Sequence, residues 1–187
     1  MFGIAGVSWR PMATYVALLR GVNIGQNVLK MERLRELCGQ IGMKNVRTYV
    51  QSGNVVFEAE GNASKWEQAL EKKLAGETRL PVTVLVRTAT EIKKVLAGNP
   101  FANEKTVDAK RLAVVFLQEA PSKQALEKMR AVDIGNERFH CAGREIYIYC
   151  PDGFGRSKLY LLDKVLGQRT TTRNWNTVAK LHAMCGD

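Results

Sequence analysis

The chain has 187 residues, of which 45% are hydrophobic and 25% are charged, and its formal net charge at pH 7 is +10. This composition is ordinary for a soluble globular protein, and the length suits one domain or two small ones. No apolar run approaches the roughly 20 residues of a membrane-spanning helix, which excludes a helical membrane protein. The basic excess favours an anionic partner (nucleic acid, a phosphorylated small molecule or an acidic protein), although colloidal solubility explains it equally well.

The N-terminal part of the chain begins with a segment that has no assigned role. Residues 1–11 have neither the basic leading segment nor the apolar length of a signal peptide, and we interpret them as a loose leader before Met12. Residues 15–19 are apolar on both alternating faces, which predicts a central strand covered on both sides. A helical run over 31–41 follows, and Gly42 is placed to cap its end.

A hairpin, a second helix and another strand complete the first half. The hairpin arms are predicted at 46–51 and 54–57, around a Ser-Gly tip. Ser64 and Glu67 have the spacing of a capping box at the start of the next helix, and residues 81–86 predict the strand. The resulting order, β-α-β-β-α-β, is that of a ferredoxin-like unit.

A polar connector at 99–110 is the best candidate boundary, and a short helix with a capping box at Thr88 and Glu91 precedes it. Beyond the connector the order begins again, and "AGREIYIYCPDG" resembles "SGNVVFEAEG" of the first half. In place of a last strand, the second half is predicted to have a helix over 173–184.

The predicted fold class is therefore α+β, a tandem duplication of two ferredoxin-like (βαββαβ-type) subdomains, the second ending in a helix. The first subdomain, with its short helix, is predicted to span residues 12–98, and the second to span residues 111–187.

The first candidate site is the loop "RGVNIGQNVLK", which joins the first strand to the first helix. Its spacing, Gly21-x-Asn23-x-Gly25, lacks the third glycine of a dinucleotide-binding loop, and no Walker A motif is present. A loop whose amides lead into a helix start still favours an anion, and Arg20 and Lys30 would add positive charge. A turn that needs glycine backbone angles explains the same residues.

A second glycine-bearing loop, "PDGFGRSKLYLL", repeats this arrangement in the second half. Gly155, Arg156, Ser157 and Lys158 are predicted at a helix start, where amides, a hydroxyl and an ammonium could hold a phosphate. A plain helix cap among ordinary surface charges is the alternative. Since basic residues greatly exceed acidic ones between 153 and 184, we expect the anion-facing surface in the C-terminal quarter.

The remaining candidates lie at the hairpin tip and before the last helix. Gln51 and Asn54 flank the tip and have either a local or a ligand-binding role. Arg173 could pair with phosphate, Asn174 could hydrogen-bond to a ligand or a neighbouring loop, and Trp175 could stack on a ring. A tryptophan at helical spacing with apolar residues is more often part of a core.

Catalytic and metal chemistry find little support in the sequence. The two histidines lie near no recognisable serine or cysteine motif, so no catalytic residue is predicted. The four cysteines form no Cys-x-x-Cys pair and no zinc spacing with the histidines. We therefore expect reduced thiols in a cytoplasmic protein, with no metal and no cofactor.

Several segments in register, among them "YVALLRGVNIGQN", "NVRTYVQSGNVVF", "GRSK" and "TTRNWNTVAKL", resemble the bacterial family called domain of unknown function 1697. The resemblance extends from Met12 to about Met184. It implies two ferredoxin-like subdomains in one α+β unit, and no established activity, catalytic residue or cofactor. The polar motif positions of the family fall here on Arg20, Gly21, Asn23, Gly25, Gln51, Ser52, Gly53, Asn54, Ser157, Arg173, Asn174 and Trp175.

Three functional hypotheses follow. The first is a binding protein, in which the two glycine-bearing loops and Arg173 hold a phosphate-bearing or otherwise anionic ligand, including nucleic acid. The second is an enzyme that uses the same loops on a small anionic substrate. The third is a structural or protein-interaction module, in which the motif residues lock one subdomain onto the other. The sequence leaves all three open.

Overall fold

A computed structural model describes residues 11–25, 27–78, 81–158 and 164–186, except for the side chain of Arg156. The first half of the chain contains β1 (Ala13–Arg20), α1 (Met31–Gln40), β2 (Lys44–Tyr49), β3 (Asn54–Ala59), α2 (Ala63–Leu74), β4 (Thr83–Thr88) and α3 (Ala89–Ala97). The second half contains β5 (Leu112–Leu117), α4 (Lys123–Arg130), β6 (Arg138–Ala142), β7 (Glu145–Tyr149), β8 (Thr170–Asn174) and α5 (Trp175–Met184).

The described residues form two four-stranded antiparallel sheets, which confirms the α+β class. Their strand orders are β2-β3-β1-β4 and β6-β7-β5-β8, so the first strand of each half pairs with the third and fourth strands of its own half. No helix of the described residues is both long and apolar enough to cross a membrane.

The two sheets share an apolar core. On the outer face of the first sheet, Tyr15, Ala17 and Leu19 of β1 pack with α1 and α2. On its inner face, Val16 and Leu18 pack with α3, α5 and the second sheet. This burial explains why β1 is apolar throughout, and the predicted strand covered on both sides is confirmed.

Local capping signals give a mixed result. The capping box of Thr88 and Glu91 is confirmed, with each backbone N–H donating to the other side chain. The box predicted at Ser64 and Glu67 is wrong, because Asn62 caps α2 and accepts from the Lys65 amide at 2.9 Å. Glu67 is buried instead, and its carboxylate accepts the Val86 amide at 2.8 Å.

The hairpin arms differ from their predicted bounds, whereas the end of α1 agrees with its prediction. The hairpin arms are 44–49 and 54–59, so Gln51 lies in the tip rather than in an arm. Gly42 follows α1 with φ of 95°, which fits its predicted role at the end of the helix.

The second half keeps its last strand. The helix predicted over 173–184 begins only at Trp175, and residues 170–174 form β8, where Arg173 lies opposite Val114 of β5. The reason is local, because three consecutive threonines are β-branched and favour an extended backbone.

The helix start predicted at Arg156 is also wrong. Residues 154–156 form a short 3-10 turn, and Ser157 has an extended backbone with ψ of 141°. Residues 159–163 of that predicted helix lie outside the described residues, and residues 164–166 are helical.

Each half of the chain contributes one buried arginine that forms hydrogen bonds with the other half, and the two arginines are arranged reciprocally. Arg87 of β4 reaches the second half, where it donates to the Leu117 carbonyl at 2.5 Å and the Glu145 carboxylate at 2.9 Å. Arg173 of β8 reaches the first half, where it donates to the Leu19 carbonyl at 2.7 Å and Asn54 Oδ1 at 2.5 Å. The acceptors correspond, since Leu19 and Leu117 lie near the ends of β1 and β5, and Asn54 and Glu145 begin β3 and β7.

We expect Arg87→Ala to destabilise the protein strongly, by about 3–5 kcal/mol, because it leaves the Glu145 carboxylate and a buried carbonyl without their donor. Arg33→Ala is the matched control, since Arg33 forms ion pairs with Glu36 and Glu77 on the surface. It should change the free energy of unfolding much less. Urea denaturation followed by tryptophan fluorescence measures both, and equal losses would contradict the proposed weight of the Arg87 interactions.

Candidate functional site

A cleft of about 390 Å³ lies where the end of β1, the tip between β2 and β3, and β8 meet. We call it the β1–β8 cleft, and both halves of the chain contribute to it. Its lining consists of Leu19, Arg20, Gly21, Val22, Asn23, Ile24, Gln51, Ser52, Thr171, Thr172 and Arg173.

Arg173 lies at the bottom of the β1–β8 cleft, where the two halves meet, and is 7% exposed. Its guanidinium donates to six oxygens, which are Asn54 Oδ1 (2.5 Å), Thr171 Oγ1 (2.7 Å) and the carbonyls of Leu19 (2.7 Å), Thr172 (2.8 Å), Ser52 (3.1 Å) and Gly53 (3.4 Å). This set of bonds ties β1, the hairpin tip and β8 together.

The charge of Arg173 has no carboxylate partner among the described residues. All its acceptors are neutral, whereas Arg87 in the reciprocal position is paired with Glu145. Burial lowers the pKa of Arg173 to about 10, which still leaves the guanidinium protonated at pH 7. A buried cation with only neutral acceptors therefore lies beneath the cleft, and it would interact favourably with an anion there.

Arg20 adds a second cation to the lining. It ends β1, is exposed to solvent and donates to the Thr170 hydroxyl at 2.7 Å and to the Thr170 carbonyl at 3.2 Å. The Arg20 side chain thus reaches the first residue of β8, the strand that also carries Arg173. The two arginines are the only charged residues in the described lining, which contains no carboxylate, imidazole or thiol.

The loop after β1 is held in shape by asparagine side chains. Asn23 has φ of 53°, donates to the Gln51 carbonyl at 2.6 Å and accepts the Leu29 amide at 2.8 Å. Asn27 donates to the Gly21 carbonyl. The bond to Gln51 joins the loop to the hairpin tip, and the other two bonds hold the loop itself, so that together they fix one wall of the cleft.

Close packing between loop and tip requires glycine at one position in particular. Gly53 has φ of 72°, and a Cβ there would lie 2.6 Å from Val22 Cγ2 and 2.7 Å from Leu19 Cβ. Any larger side chain would therefore push the tip away from β1.

The structure brings four of the predicted site residues into the lining of one cleft: Arg20, Asn23, Gln51 and Arg173. Asn54 lies behind them as a partner of Arg173. Gly25 and Lys30 belong to the same loop but are outside the lining, and α1 begins only after Lys30.

The second glycine-bearing loop does not join this cleft. Gly155, Ser157 and Lys158 are outside the lining, and the Lys158 ammonium lies 3.5 Å from the Asp133 carboxylate. The Ser157 hydroxyl lies 3.8 Å from the Cys150 sulfur. The side chain of Arg156 lies outside the described part of the structure. Sequence analysis expected one groove formed by both loops, whereas the cleft is formed by the first loop without the described residues of the second.

The two residues after Arg173 also lie outside the lining. Asn174 is exposed and precedes α5 without a side-chain capping bond. Trp175 is half-buried and packs against the shared core, which agrees with its interpretation as a core residue.

Sequence reasoning missed Thr171 and Thr172, which line the cleft beside Arg173. The signal was present in the run of three threonines, which predicts a strand with alternating faces. It also missed Val50, which adopts φ of 49° beside the lining residue Gln51. A valine in this left-handed conformation is unusual, and nothing in the sequence pattern indicates it.

The described lining combines two cations with polar groups that suit a ligand, and it contains no residue of the usual acid–base types. Burial raises the pKa of the Cys38 thiol to about 12, and that of the Cys150 thiol to about 11, so neither supplies a thiolate at neutral pH. No three His, Cys, Asp or Glu residues cluster as metal ligands within the described ranges.

We expect Arg173→Lys to lower the free energy of unfolding by roughly 3 kcal/mol or more, because an ammonium has three donors and lacks the planar fork that reaches these acceptors. Asn174→Ala is the control, since the next residue is exposed and makes no capping bond. It should stay within about 0.5 kcal/mol of the parent. Thermal and urea unfolding without added ligand measure both, and a stable Arg173→Lys protein would refute this role.

We expect Val50→Asn to raise the free energy of unfolding by about 1 kcal/mol, because asparagine tolerates the left-handed conformation better than a β-branched residue. Val28→Asn is the control, since Val28 is also exposed but does not have a positive φ. It should bring no gain. A melting temperature that is unchanged or lower in Val50→Asn would contradict the strain assigned to Val50.

Among solved structures, the chain is similar to that of a conserved bacterial protein from Streptococcus pneumoniae, with a TM-score of 0.77 at 20% sequence identity, covering 95% of this chain and 100% of the other. At this identity the similarity shows the fold alone, and no curated protein matches the chain. The model of the family described as "Protein of unknown function (DUF1697)" matches residues 12–147, and so ends before Met184, the predicted limit of the resemblance. Because the match covers most of its length, the chain belongs to this family.

Proposed function

We propose that the protein binds a small anionic ligand in the β1–β8 cleft. The observation that carries the proposal is the buried guanidinium of Arg173, which has six neutral acceptors and no carboxylate partner among the described residues. The protein already bears the cost of burying this charge, so an anion placed in the cleft gains electrostatic energy without displacing a carboxylate of the described residues from Arg173.

Uncommitted polar groups in the lining support the proposal. The side chains of Gln51 and Thr172 are exposed and have no hydrogen-bond partner among the described residues. The Ser52 hydroxyl accepts from the Asn54 amide at 2.8 Å, which leaves its proton free to donate. These groups can supply several of the donors that an oxyanion requires, beside the positive charge of Arg20, which is itself bonded to Thr170.

The size of the cleft favours a small molecule over nucleic acid. Its volume of about 390 Å³ falls within the range of roughly 300–1,000 Å³ that is typical of small-molecule sites. An RNA-binding sheet presents exposed aromatic residues, but Tyr147 of β7 is buried and donates to the Val95 carbonyl at 3.0 Å.

The junction itself favours a second role for the same residues, as a lock between the halves. The reciprocal bonds of Arg87 and Arg173 support this role, and they suit a tandem duplication of two ferredoxin-like units, which we propose as the origin of the two sheets. The predicted limits of the two subdomains remain part of that proposal. An enzyme receives no comparable support, because the described lining has no general base.

The proposed location is the cytoplasm. The four cysteines are free, and Cys38 and Cys150 are buried, which suits a reducing compartment.

Calorimetric titration with phosphate, sulfate and acetate, at constant ionic strength set by chloride, tests the proposal. We expect at least one of these anions to bind and to raise the melting temperature. Arg20→Gln should weaken binding by roughly tenfold, because it removes a charge-assisted donor. Arg47→Gln is the matched control, since Arg47 is also exposed and donates to a carbonyl of the other half, that of Met184, outside the cleft.

A second variant tests the charge of Arg173 directly. Asn54→Asp places a carboxylate where the reciprocal position has Glu145, and we expect it to abolish anion binding. Its thermal unfolding is measured in parallel, and Arg20→Gln decides the question if Asn54→Asp fails to fold. Absence of binding by all three anions, or equal losses in Arg20→Gln and Arg47→Gln, would contradict the proposal. Tight, salt-sensitive binding of RNA or DNA in fluorescence anisotropy would favour nucleic acid instead.

A further inference from the structure

Exposed apolar side chains concentrate on the loops that form the β1–β8 cleft. Four large apolar residues are exposed in the described chain, and three of them lie on these two loops: Ile24 (63% exposed), Val28 (70%) and Val50 (50%). We call these three residues the apolar rim. Single exposed apolar residues are common, but their concentration beside one cleft points to a contact surface.

The geometry of the two loops brings the rim to the cleft. Ile24 belongs to the lining itself, and Val50 precedes the lining residue Gln51. The bond of 2.6 Å from the Asn23 amide to the Gln51 carbonyl joins the loops at the neighbours of these two residues. Ile24 and Val50 therefore flank one fixed point at the wall of the cleft.

The backbone at Val50 supports a functional reason for the rim. Its φ of 49° is unfavourable for a β-branched residue, and the side chain gains little burial in return. Strained backbone that brings no packing is characteristic of ligand-contacting positions.

We infer that the ligand is an amphipathic organic anion, with a charged head group in the cleft and an apolar chain lying on the apolar rim. The inference rests on the proposed function and specifies the chemistry of its ligand. The head group faces two arginines and no carboxylate of the lining, so a carboxylate or a phosphate suits it. The chain would cover Ile24 and Val50, whose exposed apolar surface gives it a favourable contact.

Two homologous series test the inference, one from acetate to octanoate and one from methyl phosphate to octyl phosphate. We expect affinity to rise by up to about fourfold for each methylene that is buried, until the chain extends beyond the rim. Comparing the two series identifies the preferred head group. Octanol is the uncharged control, and it should bind much more weakly than octanoate.

The variants Ile24→Ser and Val50→Asn should lose the dependence on chain length while retaining the affinity for acetate and methyl phosphate. Met12→Ser is the matched control, because Met12 is the fourth exposed apolar residue and lies outside the cleft lining. Binding of the short anions with no increase along either series would overturn the inference and leave the proposed function standing. Absence of binding by every anion, or octanol binding as tightly as octanoate, would overturn both.

Discussion

Two buried arginines, one from each half, form hydrogen bonds across the junction between the halves, and the cleft depends on Arg173. Its guanidinium joins the end of β1, the hairpin tip and β8, which are distant in the sequence. Without these bonds, three chain segments would each leave a buried carbonyl or side-chain oxygen without a donor. The cleft has its shape because the same cation draws its walls together.

Because Arg173 takes part in both, the proposed lock between the halves and the proposed binding site are not competing explanations. A cation that holds several carbonyls remains a cation, since hydrogen bonds to neutral acceptors do not cancel its field. An anion in the cleft would therefore stabilise the junction as well as bind to it, by mass action on the folded state. In the same way, the depressed pKa of Arg173 would rise toward its ordinary value when a negative charge lies nearby.

The parts of the fold that were predictable from sequence are those that local rules determine. Burial of β1 on both faces follows from its apolar run, and the capping box at Thr88 and Glu91 follows from residue spacing. Prediction failed where two local solutions were equally good, as with Asn62 and Ser64 at the start of α2. It also failed for the surroundings of Arg173. A charged residue in a polar motif is expected at the surface, and only the tertiary contacts show that Arg173 is buried.

The second half shows which features of the cleft the junction itself does not require. Gln118 occupies the position of Arg20, because Leu117 pairs with Thr170, three residues before Arg173, just as Leu19 pairs with Val84, three residues before Arg87. Glu145 occupies the position of Asn54 and neutralises the reciprocal arginine. The loop after β5 lines a cleft of about 470 Å³ that includes Glu119. The same junction is thus built once with its buried charge compensated by a carboxylate and once with neutral acceptors alone. The positive charge of the β1–β8 cleft is therefore not required by the fold, which supports the proposal that the cleft binds an anion.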